Sequence, residues 1–126
     1  MTTTVKTGKA VVHFEIIGTD AVKLQDFYAK LFDWQIQNIP EMNYGLLDKS
    51  ATGTIGGGIG SVDDPNARGT VIYIEVDDPQ EYLDKAVQLG GKVIIGVTEM
   101  PMVTFAQFVD PQGNRVGLVK ADPRQN

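Results

Sequence analysis

Two side chains that could exchange protons near neutral pH stand two residues apart in the segment Val11–Ile17. His13 is the only histidine of the chain, and imidazole is the side chain whose ordinary pKa lies closest to physiological pH. Glu15 would face the same way as His13 on a strand, and a carboxylate there would orient the imidazole and stabilise its charged form. The pair is therefore a candidate for acid–base catalysis or ligand contact. The alternatives are a histidine that only hydrogen-bonds a neighbour, or one that binds a metal.

Four further side chains are candidate ligand contacts. Tyr73 and Glu75 alternate within Thr70–Val76 and would share one face of a strand. Glu75 stands near the end of that strand, where a solvated charge is the alternative. Trp34 could offer a flat apolar surface, although tryptophan more often belongs to the core. Met102 could form an adaptable apolar rim, or it could belong to a plain loop.

The elements that would position these residues occur twice along the chain. Each half begins with an apolar strand, continues with an aspartate and an amphipathic helix, and ends with glycine-punctuated strands. Asp20 and Asp78 are 58 residues apart, and the same offset takes Leu31 to Leu89. A module of this size cannot bury its own sheet face. The repeat therefore predicts two modules that share one structure.

The first helix should begin at Asp20, and the second should begin at Asp78 and end at Gly90-Gly91. The first helix carries apolar residues at helical spacing: Leu24, Phe27, Tyr28, Leu31 and Phe32. The buried face of the second is predicted to contain Tyr82, Leu83, Ala86 and Val87. Alternation and turn residues predict the strands: Val11–Ile17, Tyr44–Asp48, Gly53–Gly60, Thr70–Val76, Lys92–Ile95, Val103–Val109 and Arg115–Val119.

Each module is therefore interpreted as βαβββ, and the fold class as α+β. We expect one domain over residues 10–120, made of modules 10–62 and 69–120, with a cupped, mostly antiparallel eight-stranded sheet and helices on its outer face. Even-numbered residues of the two opening strands are aliphatic or aromatic and should pack on the helices. The odd-numbered ones, including His13, Glu15 and Tyr73, should line a cup between the modules.

The run Gly56-Gly57-Gly58-Ile59-Gly60 could suggest a phosphate-binding loop. Such a loop needs a following helix, with a lysine and a hydroxyl side chain, whereas Asp63-Asp64-Pro65 follows here. A bulged strand that another backbone or a ligand approaches closely is the preferred interpretation.

Composition excludes several classes of partner. The chain has 126 residues, of which 42% are hydrophobic, and a net charge of −5 with scattered basic residues. These values predict one globular domain that does not bind nucleic acid or an anionic membrane. No run approaches the roughly 20 apolar residues that span a bilayer. The absence of cysteine and of a signal-like amino-terminal segment favours the cytoplasm.

The repeat, the histidine in the opening strand and two sequence strings carry a resemblance to a known family. The strings are Phe27-Tyr28-Ala29-Lys30-Leu31-Phe32-Asp33-Trp34 and Phe108-Val109-Asp110-Pro111-Gln112-Gly113-Asn114-Arg115-Val116-Gly117-Leu118. Over about Ala10 to Lys120 the chain resembles the vicinal oxygen chelate superfamily, which includes glyoxalase I, bleomycin-resistance proteins and extradiol dioxygenases. It looks most like the single-domain glyoxalase-like proteins, which are often homodimers.

The resemblance implies four positions for the ligands of a divalent metal ion, on the first and last strand of each module. The first position falls on His13, but the second falls on Val71 and the last on Gly117. The remaining one falls in the segment Ile55–Ile59, which is glycine and isoleucine only. Aliphatic side chains and glycine cannot coordinate a metal ion. A bound metal is therefore disfavoured, and we expect no other cofactor.

Two functions remain open. The chain could be a glyoxalase-like enzyme, of lyase or isomerase type rather than a true glyoxalase I, with His13 and Glu15 as its acid and base. It could instead be a non-catalytic protein that sequesters a small hydrophobic or aromatic molecule, as the bleomycin-resistance branch does. In both cases the expected partners are a small molecule, at His13, Glu15, Trp34, Tyr73, Glu75 and Met102, and a second copy of the chain.

Overall fold

A computed structural model describes residues 8–121 of the chain. The described residues contain eight strands: β1 Val11–Gly18, β2 Gln37–Ile39, β3 Tyr44–Leu47, β4 Gly56–Ser61, β5 Gly69–Val76, β6 Lys92–Glu99, β7 Thr104–Val109 and β8 Arg115–Lys120. They also contain three α-helices: α1 Ala21–Phe32, α2 Lys49–Thr52 and α3 Pro79–Gln88. Strand pairing is mixed and mostly antiparallel. The predicted α+β class is confirmed. None of the helices in the described range has the length and apolar character needed to cross a membrane.

The described chain forms two compact units. The first unit is Val12–Ile72, and the second unit consists of residues 8–11 and 73–121. Because each unit is defined by its own internal packing, the cup expected between the modules stays a prediction, as do the range of the single domain and the module boundaries.

The first unit places α1 against one face of the strand order β2-β3-β4-β1. Asp20 caps α1 by accepting a hydrogen bond from the backbone N–H of Lys23 at 3.1 Å, as the sequence predicts. Buried Gln25 of α1 donates from Nε2 to the carbonyl of Ile59 at 3.1 Å. A Cβ at Gly45 would lie 2.7 Å from the Gln25 side chain, so glycine permits the close approach of helix and sheet.

The second unit places α3 against the strand order β5-β8-β7-β6. Asp78 caps α3 by accepting from the backbone N–H groups of Gln80 and Glu81, and Pro79 occupies the first turn. The core between helix and sheet consists of Val76, Leu83, Ala106 and Leu118, with Ile74, Tyr82 and Phe108 packed against it. The opposite face of this sheet therefore carries the odd-numbered residues of β5, β7 and β8.

Four elements differ most from the sequence prediction. Strand β2 was not located, because three residues are too few to display an alternating pattern. Asp48 caps the short helix α2, and Gly53 ends it with φ of +91°. Strand β4 therefore begins at Gly56 instead of Gly53, and β6 continues to Glu99 instead of ending at Ile95.

The predicted apolar stripe of α1 is largely exposed. Phe27 is 56% exposed and Leu31 is 55% exposed, whereas the buried residues of the helix are Ala21 and Gln25. Phe27 lies two residues beyond Gln25, which is about 200° around a helix at 3.6 residues per turn. The prediction is therefore wrong for Phe27, Leu31 and Phe32, which are exposed, whereas Leu24 and Tyr28 of the same stripe are half-buried.

Two further residues predicted on helix-packed faces are also exposed. Val87 of α3 is 51% exposed and Ile72 of β5 is 46% exposed. In β5 the core of the second unit begins only at Ile74, and Val71 is the buried neighbour of Ile72, at 4% exposure. The alternation rule thus gives the correct face of β5 only for its second half.

Candidate functional site

Tyr44 joins the two acid–base candidates of the first unit. Its hydroxyl donates to Oε2 of Glu15 at 3.0 Å, and the same oxygen lies 3.1 Å from Nε2 of His13. All three side chains are half-buried. The three residues are named here the His13–Tyr44–Glu15 chain. It lies on the face of the sheet opposite to Phe14, because adjacent residues of a strand point to opposite faces.

Glycines of β4 leave space for the side chains of the His13–Tyr44–Glu15 chain. Gly58 pairs with Glu15 in the parallel β1–β4 register, and a Cβ at residue 58 would overlap the hydroxyl and ring of Tyr44. On the other face, a Cβ at Gly57 would overlap the ring of Phe14. The glycine run thus admits aromatic side chains from neighbouring strands at Gly57 and Gly58, and the expected close approach of another backbone occurs at Gly56, where a Cβ would lie 3.0 Å from the carbonyl oxygen of Leu47.

The hydrogen bonds within the His13–Tyr44–Glu15 chain determine the tautomer of His13. A carboxylate accepts hydrogen bonds only, and a phenol has one proton. Since Tyr44 donates that proton to Glu15, its oxygen can only accept from His13, which places a hydrogen on Nε2 of the imidazole. Burial lowers the pKa of His13 below 6.5, so the neutral imidazole predominates at pH 7. Desolvation by burial is the cause of this lowering, and the effect of Glu15 on the charge of His13 stays a prediction.

The second unit carries a similar arrangement with different residues. Tyr73 is 5% exposed and Gln107 is 6% exposed. Nε2 of Gln107 donates to the hydroxyl of Tyr73 at 2.7 Å. Gln107 pairs with Gly117 across β7 and β8, and a Cβ at Gly117 would overlap the ring of Tyr73. A tyrosine therefore covers a glycine of the last strand in each unit.

The other sequence-predicted contacts are Glu75, which shares the face of Tyr73 on β5 by alternation, and Trp34 and Met102. Glu75 is half-buried, and its backbone N–H donates to the carbonyl of Ala10 at 2.9 Å. Trp34 stacks on Tyr28 at a centroid distance of 5.9 Å and contacts Phe14, so it belongs to the helix-covered face. Met102 is 94% exposed, in the turn between β6 and β7. The ligand-contact roles of these three residues stay predictions.

The residues at the implied metal positions do not fit a divalent ion. His13 offers one imidazole, Val71 is a buried aliphatic residue, and Gly58 and Gly117 are covered by tyrosine rings. No group of three or more histidine, aspartate or glutamate side chains is close enough to hold a metal ion within residues 8–121. Such sites need three or four ligands, and these residues do not supply that number.

Two residues of these groups were missed by the sequence analysis. Tyr44 was placed at the start of a strand but was not linked to His13, 31 positions away. Gln107 lies mid-strand in Val103–Val109, where a polar residue interrupts an apolar run. That interruption was the available signal for Gln107, and the glycine run of β4 was the signal that large side chains would cross it.

One family model matches the chain over most of its length. The model of the Glyoxalase/Bleomycin resistance protein/Dioxygenase superfamily matches residues 10–118. Among curated proteins, none matches in sequence.

Several solved structures have a similar fold. Hypothetical protein BH1468 from Bacillus halodurans C-125 superposes with a TM-score of 0.68 at 13% identity, covering 95% of this chain and 99% of that chain. Methylmalonyl-CoA epimerase from Streptomyces coelicolor gives 0.62 at 15% identity, covering 91% and 96%. A glyoxalase/bleomycin resistance protein/dioxygenase superfamily member from Vibrio splendidus 12B01 gives 0.60 at 15% identity, covering 90% and 100%. At such identities the likeness concerns the fold alone.

Proposed function

Since the chain belongs to the glyoxalase/bleomycin resistance protein/dioxygenase superfamily, we propose that it binds a small oxygenated organic molecule without a metal ion. The binding groups are those of the His13–Tyr44–Glu15 chain. The observation that carries the proposal is the hydroxyl of Tyr44, which lies within hydrogen-bond distance of both His13 and Glu15 and covers Gly58. In this chain a phenol stands where the resemblance implies a metal-binding side chain.

The chemistry of these groups suits a polar substituent on an otherwise apolar molecule. Imidazole, phenol and carboxylate groups can each exchange hydrogen bonds with an oxygen substituent of a ligand. Three half-buried polar side chains are partly desolvated, which strengthens their hydrogen bonds. Leu46 and Ile39 share their face of the sheet by alternation with Tyr44 and supply apolar surface.

A ligand screen with EDTA present tests the proposal. The probes are fluorinated aryl alcohols, phenols, ketones and carboxylates, observed by ¹⁹F NMR with the wild-type protein. We expect at least one probe to bind, and His13→Ala and Tyr44→Phe each to weaken its binding about tenfold, the value of one hydrogen bond. Tyr82→Phe is the matched control, because Tyr82 is a residue of α3 that packs against the core of the second unit and its hydroxyl has no part in the proposal.

The result that overturns the proposal has two forms. Either no probe binds the wild-type protein, or a bound probe is insensitive to both His13→Ala and Tyr44→Phe. A large loss of folding stability in His13→Ala with unchanged binding would make His13 a structural residue.

A second candidate, proton transfer, is favoured by the lowered pKa of His13. An imidazole that is neutral at pH 7 can accept a proton, and its contact with the Tyr44 hydroxyl orients the ring. The enzyme would then be of lyase or isomerase type, with His13 as base and Glu15 stabilising the hydrogen-bonded chain. Exchange of a carbon-bound hydrogen of a bound ketone with deuterated water, lost in His13→Ala, would distinguish this candidate from simple binding. Under either candidate we propose a cytoplasmic location, which fits a chain without cysteine.

A further inference from the structure

The side-chain carbonyl of Gln107 is buried in the second unit without a hydrogen-bond partner. Gln107 lies in β7 on the face of the sheet opposite to α3, and it is 6% exposed. Its Nε2 donates to the hydroxyl of Tyr73 at 2.7 Å. Its Oε1 has no partner within the part of the chain that the structure describes. Tyr73 thus fixes one arm of the carboxamide, and the other arm is an unpaired acceptor.

Stability does not explain a glutamine at this position. A buried acceptor without a partner lowers stability, and an apolar side chain avoids that loss. In the first unit the residue opposite the tyrosine-covered Gly58 is Leu46. In the second unit Gln107 stands opposite the tyrosine-covered Gly117. Since the first unit has an apolar residue at the corresponding place, the glutamine of the second unit needs another reason.

The neighbours of Gln107 on its face of the sheet are apolar. Phe105 and Val119 form the next pair on this face of β7 and β8, and Ile95 of β6 pairs with Gln107 itself. These three side chains are half-buried, so part of their surface is accessible. The unpaired oxygen therefore lies among accessible apolar groups, which suits a molecule that is mostly apolar.

Strand β6 offers an approach to the carboxamide. It is the last strand of the order β5-β8-β7-β6, and its pairing with β7 is interrupted on both sides of Ile95. Such irregularities at a sheet edge leave residues unpaired and are frequent beside binding sites. Few main-chain hydrogen bonds therefore hold Ile95 in place beside Gln107.

We propose that Gln107 forms a hydroxyl-binding subsite in the second unit, in which Oε1 accepts a hydrogen bond from the hydroxyl of an otherwise apolar molecule. The subsite goes beyond the function proposed above, because it uses no residue of the His13–Tyr44–Glu15 chain. A carbonyl oxygen accepts hydrogen bonds and does not donate them, so an ether cannot replace the hydroxyl. An ammonium group is disfavoured, because the apolar neighbours would desolvate its charge.

The test compares an alcohol with its methyl ether, which carries no donor. The probes are 4-fluorobenzyl alcohol and 4-fluorobenzyl methyl ether, each titrated by ¹⁹F NMR. We expect the wild-type protein to bind the alcohol about tenfold more tightly than the ether, the value of one hydrogen bond. Gln107→Leu should remove this preference by weakening binding of the alcohol alone. Its urea midpoint should stay the same or rise, because the unpaired acceptor is removed together with the bond to Tyr73.

Two variants serve as controls, and a third guards against misfolding. Gln25 is also a buried glutamine, but its amide donates to the backbone carbonyl of Ile59 in the first unit. Gln25→Leu should therefore lower the urea midpoint and keep the preference for the alcohol. His13→Ala should keep the preference as well. Gln107→Met, which has an unbranched side chain, repeats the test if leucine prevents folding.

Four results overturn the inference. These are equal binding of the two probes by the wild-type protein, failure of both probes to bind, a preference that persists in Gln107→Leu and Gln107→Met, and loss of the preference in His13→Ala. The last result would assign the hydroxyl to the His13–Tyr44–Glu15 chain. If the ligands of the proposed function bind with dependence on His13 and Tyr44 while the alcohol has no advantage over the ether, only this inference fails.

Discussion

At the scale of single residues, two glycines determine what the polar faces contain. Gly58 and Gly117 stand on the last strand of each unit, and each leaves a space that a tyrosine fills. The tyrosines come from different strands, Tyr44 from β3 and Tyr73 from β5. The corresponding space in each unit is thus filled by a tyrosine from a different strand. In both units the phenol hydroxyl makes a hydrogen bond to a polar side chain of its own unit.

Gly58→Ala should displace Tyr44 from His13 and Glu15. The added methyl overlaps the end of the Tyr44 side chain, which can rotate away, so we expect a loss of only about 1–3 kcal/mol in the free energy of unfolding. Probe binding should fall as far as it does in Tyr44→Phe. Gly96→Ala is the control, because a Cβ at Gly96 meets no atom within 4 Å. Unchanged probe binding in Gly58→Ala would contradict the role assigned to Tyr44.

His13 should make the stability of the protein depend on pH. Its folded-state pKa lies below the unfolded value of 6.5, so between these two pKa values the unfolded state binds more protons and stability rises with pH. Above the unfolded pKa the imidazole is neutral in both states, so His13 adds no pH dependence to the free energy of unfolding there. The contribution of His13 becomes destabilising as the pH falls below 6.5, and levels off once the folded imidazole is also protonated.

Urea denaturation at about pH 7.5 and about pH 5.5 measures this effect, because the interval includes the unfolded pKa of histidine. The wild-type protein should lose more stability over the interval than His13→Asn, which cannot titrate. Equal losses in the two proteins would mean that burial does not disfavour the charged imidazole.

At the scale of elements, the aspartate caps are the most regular feature of the repeat. Asp78 accepts from two backbone N–H groups of the first turn of α3. Asp78→Ala should therefore cost about 1 kcal/mol in the free energy of unfolding, the usual value for a lost cap. Asp84→Ala, on the exposed side of the same helix, should cost much less. Similar losses in both variants would show that the cap contributes nothing specific.

The sequence predicted those elements whose signals are local. The two long helices α1 and α3 and seven of the strands follow from spacing, aspartate caps and turn residues. Strand β2 was missed because it has only three residues, and α2 because it has a single turn. Three residues of α1, Phe27, Leu31 and Phe32, were wrongly assigned to the core, since aromatic residues lie on two sides of that helix and only tertiary packing selects Gln25 for burial.

The candidate site was predictable only in part, because local sequence patterns reveal only some of the contacts between its residues. His13 and Glu15 are neighbours on one strand, so alternation places them together. Tyr44 and Gln107 reach their partners across strands, at sequence separations of 31 and 34 residues. Such pairings depend on strand order and register, and neither can be obtained from local patterns. Which side chains cover the glycines of β4 likewise depends on the residues that the strand register places beside them.

At the scale of the whole molecule, we expect a homodimer. A repeated module with an uncovered sheet face suits a two-fold interface between identical copies, and Phe27 and Leu31 of α1 expose apolar surface. Light scattering at micromolar concentration should give twice the mass of the 13.7 kDa chain. A monomer mass under these conditions would remove the dimer.

Our central claim is that the His13–Tyr44–Glu15 chain works as a hydrogen-bonded group without a metal ion. Because the chain contains one histidine, ¹H–¹⁵N NMR of the imidazole observes His13 alone. At about pH 7.5, above the ordinary histidine pKa, we predict a neutral imidazole ring of His13 with its hydrogen on Nε2. We also predict a change of the Nε2–H signal in Tyr44→Phe and no change on addition of stoichiometric Ni²⁺ or Zn²⁺. A ring with hydrogen on Nδ1, or a stoichiometric metal-dependent change of these signals, would contradict the claim.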